Sequence, residues 1–209
     1  MQLENRHVIL DIAGTEACLW RVTVPSTGES LEVAPPVFEI EGAARPAVLV
    51  DVRQAVPPRQ VFKGVTEHVY SGRFAADPAL GLDLVFRLAS GGPIVRFKYR
   101  LRSESPRALT RASGGDAITY MGVQAASFPT CKEVRLGEFE ALVHSFHLTE
   151  HPIADRDFEH RLAVMGPMVV MEGGGHAGIV AYEHGSQVPD AFLHYALTPE
   201  RAIELRAVK

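Results

Sequence analysis

The tract Val95-Arg96-Phe97-Lys98-Tyr99-Arg100-Leu101-Arg102 alternates apolar and basic side chains without a break. Period-two alternation of this length is the signature of a half-buried β-strand. Val95, Phe97, Tyr99 and Leu101 take one face, while Arg96, Lys98, Arg100 and Arg102 take the other. Upstream, Leu82, Leu84, Phe86 and Leu88 repeat with the same period, and Ala89-Ser90-Gly91-Gly92-Pro93 supplies a turn between the two runs. The pair predicts a hairpin with one buried and one strongly basic face. Those cations serve either as a solvated outer face that protects the sheet from association or as a binding stripe for an acidic partner; the even spacing of long side chains favours the first. Nucleic-acid binding would need exposed aromatics among the cations, and Phe97 and Tyr99 fall on the opposite face.

The same pattern runs through most of the chain. Residues 7–13 and 17–24 are two short β-rich runs joined by Gly14-Thr15-Glu16, a hairpin signal. Pro25, Pro35, Pro36, Pro46, Pro57 and Pro58 then punctuate the region around Phe38-Glu39-Ile40 and Val48-Leu49-Val50-Asp51-Val52, so strands there are predicted to be short, edge-like or separated by extended loops. From Gln60 to Tyr70 the alternation tightens into what reads as one long strand with mixed faces. After a turn-rich connection over residues 107–116, residues 117–123, 132–139 and 142–148 are further strand candidates. A turn or two of helix fits residues 155–161, whose apolar spacing is too poor for a core helix. The prediction is an all-β fold, a large two-sheet antiparallel β-sandwich (supersandwich) with little helix. It forms a single domain over residues 1–209, with residues 1–60 the least constrained part.

Composition narrows the class. Hydrophobic residues make up 46% of the 209 and charged residues 22%, proportions of a globular chain with a core to bury. The formal charge of −4 gives no global attraction to nucleic acid or anionic lipid, although single basic strands remain possible. No apolar run approaches the ~20 residues of a spanning helix, and Met1–His7 lacks the character of a secretory signal. Cys18 and Cys131 share no metal-type spacing and read as two reduced core thiols. A cytoplasmic location is expected. Trp20, the sole tryptophan, sits in an apolar run and reads as core rather than as a sugar platform.

Four places in the sequence carry residues of candidate chemistry. His144, His147, His151 and His160 cluster with Glu150, Asp155, Asp157 and Glu159, but in a strand His144 and His147 point to opposite faces and Pro152 enforces an extended backbone, so no metal site is expected. Ser186 has His184 and Asp190 nearby without a nucleophile elbow around it. Gly173-Gly174-Gly175 lacks the lysine of a phosphate cradle and reads as a hairpin turn. Glu183 and Asp190 are the obvious carboxylate pair, and glycoside hydrolysis with retention would require them roughly 5 Å apart.

The second and fourth of these places share one loop. Ile179-Val180-Ala181-Tyr182 reads as a buried strand and Phe192-Leu193-His194-Tyr195-Ala196-Leu197 as another, with Glu183, His184, Gln187 and Asp190 crowded on the polar bend between them. The segment from Ala181 to Leu193, AYEHGSQVPDAFL, followed by the strand IELRAVK, resembles the end of the N-terminal β-sandwich domain of glycoside hydrolase family 36, the alpha-galactosidase and raffinose synthase-like enzymes. The basic-aromatic strand Ile94 to Arg102 and the approach Gly166-Pro167-Met168-Val169-Val170-Met171-Glu172-Gly173-Gly174 are similar to that family too. The likeness runs from about Gly72 to Lys209.

The resemblance implies a non-catalytic front domain of a retaining alpha-galactosidase that needs no cofactor or metal. In such an enzyme the reacting carboxylates belong to a C-terminal catalytic barrel. Expected partners are that barrel, alpha-galactoside sugars through the whole enzyme, and further copies in a homo-oligomer; nucleic acid and membrane are not expected. Glu183, His184, Gln187 and Asp190 become candidates for the domain interface or the rim of the sugar site, beside the plainer reading that they tie a tight turn to its neighbours. The basic strand gains a third reading, pairing with acidic residues of the barrel. A freestanding carbohydrate-binding module, or a mutarotase-like sandwich enzyme using His184 and Glu183 as acid and base, is the alternative.

Overall fold

The computed structural model describes residues 1–111, 116–136, 148–164, 166–183 and 193–207. The fold is all-β and antiparallel, as the alternation predicts. It divides into two compact units, Met1–Thr110 and Arg111–Lys209.

In the first unit β1 (Gln2–Glu4), β2 (Ile9–Ile12), β3 (Trp20–Val24) and β4 (Glu29–Val33) form a meander in chain order. A short hairpin follows, β5 (Val37–Ile40) and β6 (Ala43–Pro46), turned by Glu41 and Gly42, both at positive φ. Then come β7 (Leu49–Phe62), β8 (Val65–Phe74), β9 (Leu80–Ala89) and β10 (Val95–Ser103), a second sheet in the order β10-β9-β8-β7. The predicted hairpin is β9–β10, with Phe97 opposite Phe86 and Leu101 opposite Leu82.

Its apolar face makes the core of this unit. Leu82, Leu84, Phe86 and Leu88 are buried, and Trp20 reaches over from β3. The indole meets Phe86 edge-on at 5.5 Å between centroids and Phe97 at 4.8 Å, and its Nε1 donates to the Tyr99 hydroxyl at 2.9 Å. Trp20 is thus a core residue whose one polar atom is satisfied. Asn5 fastens the β1–β2 turn to the β9–β10 turn, donating from Nδ2 to the Ala89 carbonyl at 2.7 Å.

The strand predicted over residues 60–70 is two strands. β7 ends at Phe62, and Gly64 at φ 72° helps reverse the chain into β8. Both arms of the hairpin alternate, so the pattern passes unbroken through the Lys63-Gly64 turn and hides it. The proline-rich region gives the short strands β5 and β6 and the edge strand β7, as expected, but β7 is longer than the prolines suggest. Pro57 and Pro58 lie inside β7, a 14-residue strand tolerated because it borders the sheet and bulges repeatedly against the 10-residue β8. As a result Val50, Arg53, Val56, Arg59 and Phe62, three residues apart, stand opposite Arg73, Ser71, Val69, Glu67 and Val65, two apart.

Glu67 is only 8% exposed, shielded by guanidinium groups: Arg87 Nε donates at 2.8 Å and Arg59 lies at 3.4 Å. The Arg87 hydrogen bond and the surrounding cations outweigh desolvation and hold its carboxyl below the usual carboxylate range. A depressed folded-state pKa stabilises above the unfolded value of about 4.3, and that contribution is lost as pH falls through the folded value. Urea midpoints measured from about pH 6 to about pH 3 are therefore expected to fall less for Glu67→Gln than for the parent chain. Equal slopes would remove Glu67 from the acid sensitivity.

The second unit runs β11 (Ile118–Gln124), β12 (Thr130–Leu136), β13 (Leu148–Ile153), α1 (Asp155–Glu159), β14 (Ala163–Val164), β15 (Met168–Gly173), β16 (His176–Ala181), β17 (Leu193–Leu197) and β18 (Ala202–Ala207). These make two ladders, β11-β18-β17-β14 and β13-β12-β15-β16. The predicted short helix is α1. Its one inward side chain, Phe158, lies beneath the Arg201 guanidinium at 4.8 Å, and Arg201 also pairs with Asp155. The triple-glycine tract is the predicted hairpin turn: Gly173 pairs with His176 while Gly174 and Gly175 adopt φ 59° and 88°. Cys18 and Cys131 are buried free thiols. Burial pushes both thiol pKa values up. Among the described residues no helix is long and apolar enough to cross a membrane.

Candidate functional site

The loop singled out from the sequence springs from two different ladders of the second unit. β16 delivers its first residues and β17 receives its end. Of the four candidates, Glu183 is described and exposed; His184, Gln187 and Asp190 lie outside the described residues, as does Ser186. The Glu183–Asp190 carboxylate pair and the His184–Glu183 acid–base pair therefore fall there too.

The mounting of the loop is well defined. The Tyr182 amide donates to the Pro167 carbonyl at 3.1 Å. The Tyr195 hydroxyl on β17 lies 3.3 Å from that same carbonyl and 3.2 Å from the carbonyl of Val180 on β16. The two tyrosine rings are 5.8 Å apart. Tyr195 is 1% exposed, and burial, reinforced by Tyr182, drives its phenol pKa far above the ordinary value. It is a neutral donor that ties the two ladders together where the loop departs.

Pro167 is in turn held from below. The Gly166 amide donates to Glu133 Oε2 at 3.1 Å, and Arg135 Nε donates to Glu133 Oε1 at 2.7 Å, so a carboxylate only 2% exposed has partners on both oxygens. Gly166 must be glycine: a Cβ there would stand 2.5 Å from the Val134 carbonyl oxygen. Sequence reading quotes Gly166 and Pro167 only within the family likeness and Tyr195 only within a strand, and it gives neither them nor Glu133 a supporting role. The Gly-Pro pair before β15 and a tyrosine on the inward side of β17 were the available signals, but their partners are mainly backbone atoms far away in sequence.

The strand before the loop is less buried than predicted. Val180 is 6% exposed, but Ile179 is 61% exposed and Ala181 is exposed too, because β16 ends its ladder and buries one face only. On β17, His194 Nε2 stands 3.9 Å from Asp116 Oδ2, and that carboxylate is shared with Arg206 at 3.4 Å. The separation exceeds a hydrogen bond and the guanidinium already engages the acid, so the pair is not a poised acid–base couple.

Among the described residues no group of three His, Cys, Asp or Glu side chains is placed to hold a metal ion. His144 and His147 lie outside them, His151 Nε2 is 3.1 Å from Thr149 Oγ1, and His160 is exposed after α1. A cleft of about 550 Å³ opens in the first unit over Ile40, Leu80, Leu101 and Leu109, with Glu104 and Arg107 on its rim. Arg107 is occupied by Glu41 at 2.8 Å and Asp77 at 3.7 Å.

No family model matches the chain, and neither a curated protein nor a solved structure matches it.

Proposed function

We propose that the chain is the non-catalytic N-terminal β-sandwich domain of an alpha-galactosidase-like enzyme of glycoside hydrolase family 36. It supports the catalytic barrel, contributes to oligomer contacts and lines the rim of the sugar site. One observation carries the reading. The segment with the most specific resemblance, Ala181 to Leu193, leaves from β16 and returns on β17, two strands joined by the Tyr195 hydroxyl and the Pro167 carbonyl. A locked base fixes where the chain leaves the sheet at Glu183 and where it returns at Leu193, which suits a segment that meets a neighbouring domain. The all-β antiparallel fold agrees with this role, and the two buried free thiols agree with a cytoplasmic setting.

The test compares the purified chain with the longer parent enzyme that this proposal requires. The chain alone is expected to leave an aryl alpha-galactoside intact, while Glu183→Gln in the longer enzyme lowers kcat/KM by about tenfold or more, the scale of a displaced substrate-positioning contact. Turnover by the chain itself, abolished by Glu183→Gln, would overturn the reading. The cleft in the first unit favours a second one, a freestanding carbohydrate-binding module, because it joins an apolar floor to a polar rim. Calorimetric titration with galactose and raffinose separates the two, and binding blocked by substitution at Glu104 would support the module.

A further inference from the structure

The sheet face opposite the Trp20 core combines two features that are rarely left together in water. Arg53 and Arg59 on β7, Arg73 on β8, Arg87 on β9 and the four cations of β10 share this face. They outnumber its carboxylates, Asp51, Glu67 and Asp83. Arg53 and Arg100 lie in one row across the sheet, through Ser71 and Asp83, are exposed, and form no ion pair among the described residues. The positive charge is local, because the chain as a whole is acidic.

Large apolar side chains stand among these cations. Val50 is 42% exposed, Val56 51% and Phe62 66%, and the bulged pairing of β7 sets Arg53 and Arg59 between them. Ile94, 52% exposed, precedes β10 in step with Arg96 and Lys98. The β7–β8 and β9–β10 turns adjoin, linked by the Ser90 amide to the Gly64 carbonyl at 2.8 Å, so Phe62 and Ile94 belong to one end of the sheet.

We propose that this face docks on an anionic lipid bilayer, its arginines and lysine among the headgroups and Phe62 and Ile94 entering the boundary with the acyl chains. Charge complementarity calls for an anionic partner, and the apolar side chains select among anionic partners. Nucleic acid takes hold by stacking bases on aromatic rings, and among the described residues Phe62 is the one ring this face offers, since Phe97 faces the core and Tyr99 receives the Trp20 hydrogen bond. A protein partner needs a contiguous, fully desolvated centre of anchors, whereas here arginines separate the apolar residues. A fluid interface needs no such match: each side chain sinks independently, and attraction to anionic headgroups adds to the buried apolar area.

Sedimentation with vesicles tests this. The chain is expected to bind vesicles of mixed phosphatidylserine and phosphatidylcholine and not those of phosphatidylcholine alone. Binding should be lost as salt rises from about 0.1 M to about 1 M and the screening length contracts from ~10 Å to ~3 Å. Arg53→Glu with Arg100→Glu should weaken partitioning at least tenfold, since one charge near such a surface is worth about fivefold. Phe62→Ser should weaken it severalfold at unchanged salt dependence. Unaltered circular dichroism of each variant separates loss of docking from loss of fold, and Lys-for-Arg replacement at positions 53 and 100 should retain binding. Equal binding to both vesicle types, or binding to polyglutamate or duplex DNA with none to phosphatidylserine vesicles, would overturn the proposal.

Discussion

Trp20→Ala is expected to destabilise the protein by about 3–5 kcal/mol, the cost of emptying a large aromatic site in a well-packed core. The indole is 4% exposed, lies against both Phe86 and Phe97, and gives its only N–H to Tyr99. Removing it opens a void between β3 and the β9–β10 hairpin and takes away a donor to a phenolic oxygen. Because the fluorophore goes with the mutation, urea unfolding has to be followed by circular dichroism. Trp20→Phe should cost less, retaining ring contacts while giving up a hydrogen bond worth about 1 kcal/mol. Similar costs for the two variants would mean that ring packing is not what holds this core.

Gly166→Ala is the second large effect, with a different origin. The backbone of Gly166 approaches β12 so closely that an added methyl carbon would sit 2.5 Å from the Val134 carbonyl oxygen and 3.0 Å from its carbon. Backbone cannot swing aside as a side chain can. The strands must part, and in parting they break the Gly166 amide's bond to buried Glu133 and shift the Pro167 carbonyl on which Tyr182 and Tyr195 converge. A loss of about 3 kcal/mol is expected in urea unfolding. Gly91→Ala, where nothing lies within 4 Å, serves as the control and should change stability by less than about 0.5 kcal/mol. A cost below about 1 kcal/mol at position 166 would show that the support beneath the loop yields easily.

Alternation made the β9–β10 hairpin legible down to which side chains face inward, because period two is a direct consequence of strand geometry. It misled at Lys63-Gly64, where two strands of matching pattern abut and the turn itself has no apolar signature. It could not foresee that Pro57 and Pro58 lie within β7, since bulging depends on what the neighbouring strand does. The loop from Glu183 to Asp190 was visible as a cluster of polar side chains. Its foundations were not, because Tyr195 and Gly166 find their partners in carbonyls and a carboxylate distant in sequence. Ile179 was misread for the same reason: an apolar residue in a strand does not reveal whether a further layer covers it.

The unequal lengths of β7 and β8 have one more consequence. Fourteen residues laid along ten leave the outer amides and carbonyls of β7 out of step with those of any regular strand, and Pro57 and Pro58 contribute no amide hydrogen. A margin built in this way cannot serve as a template for another copy of itself. Despite the valines it exposes, its bulges and prolines work against fibril growth from this edge.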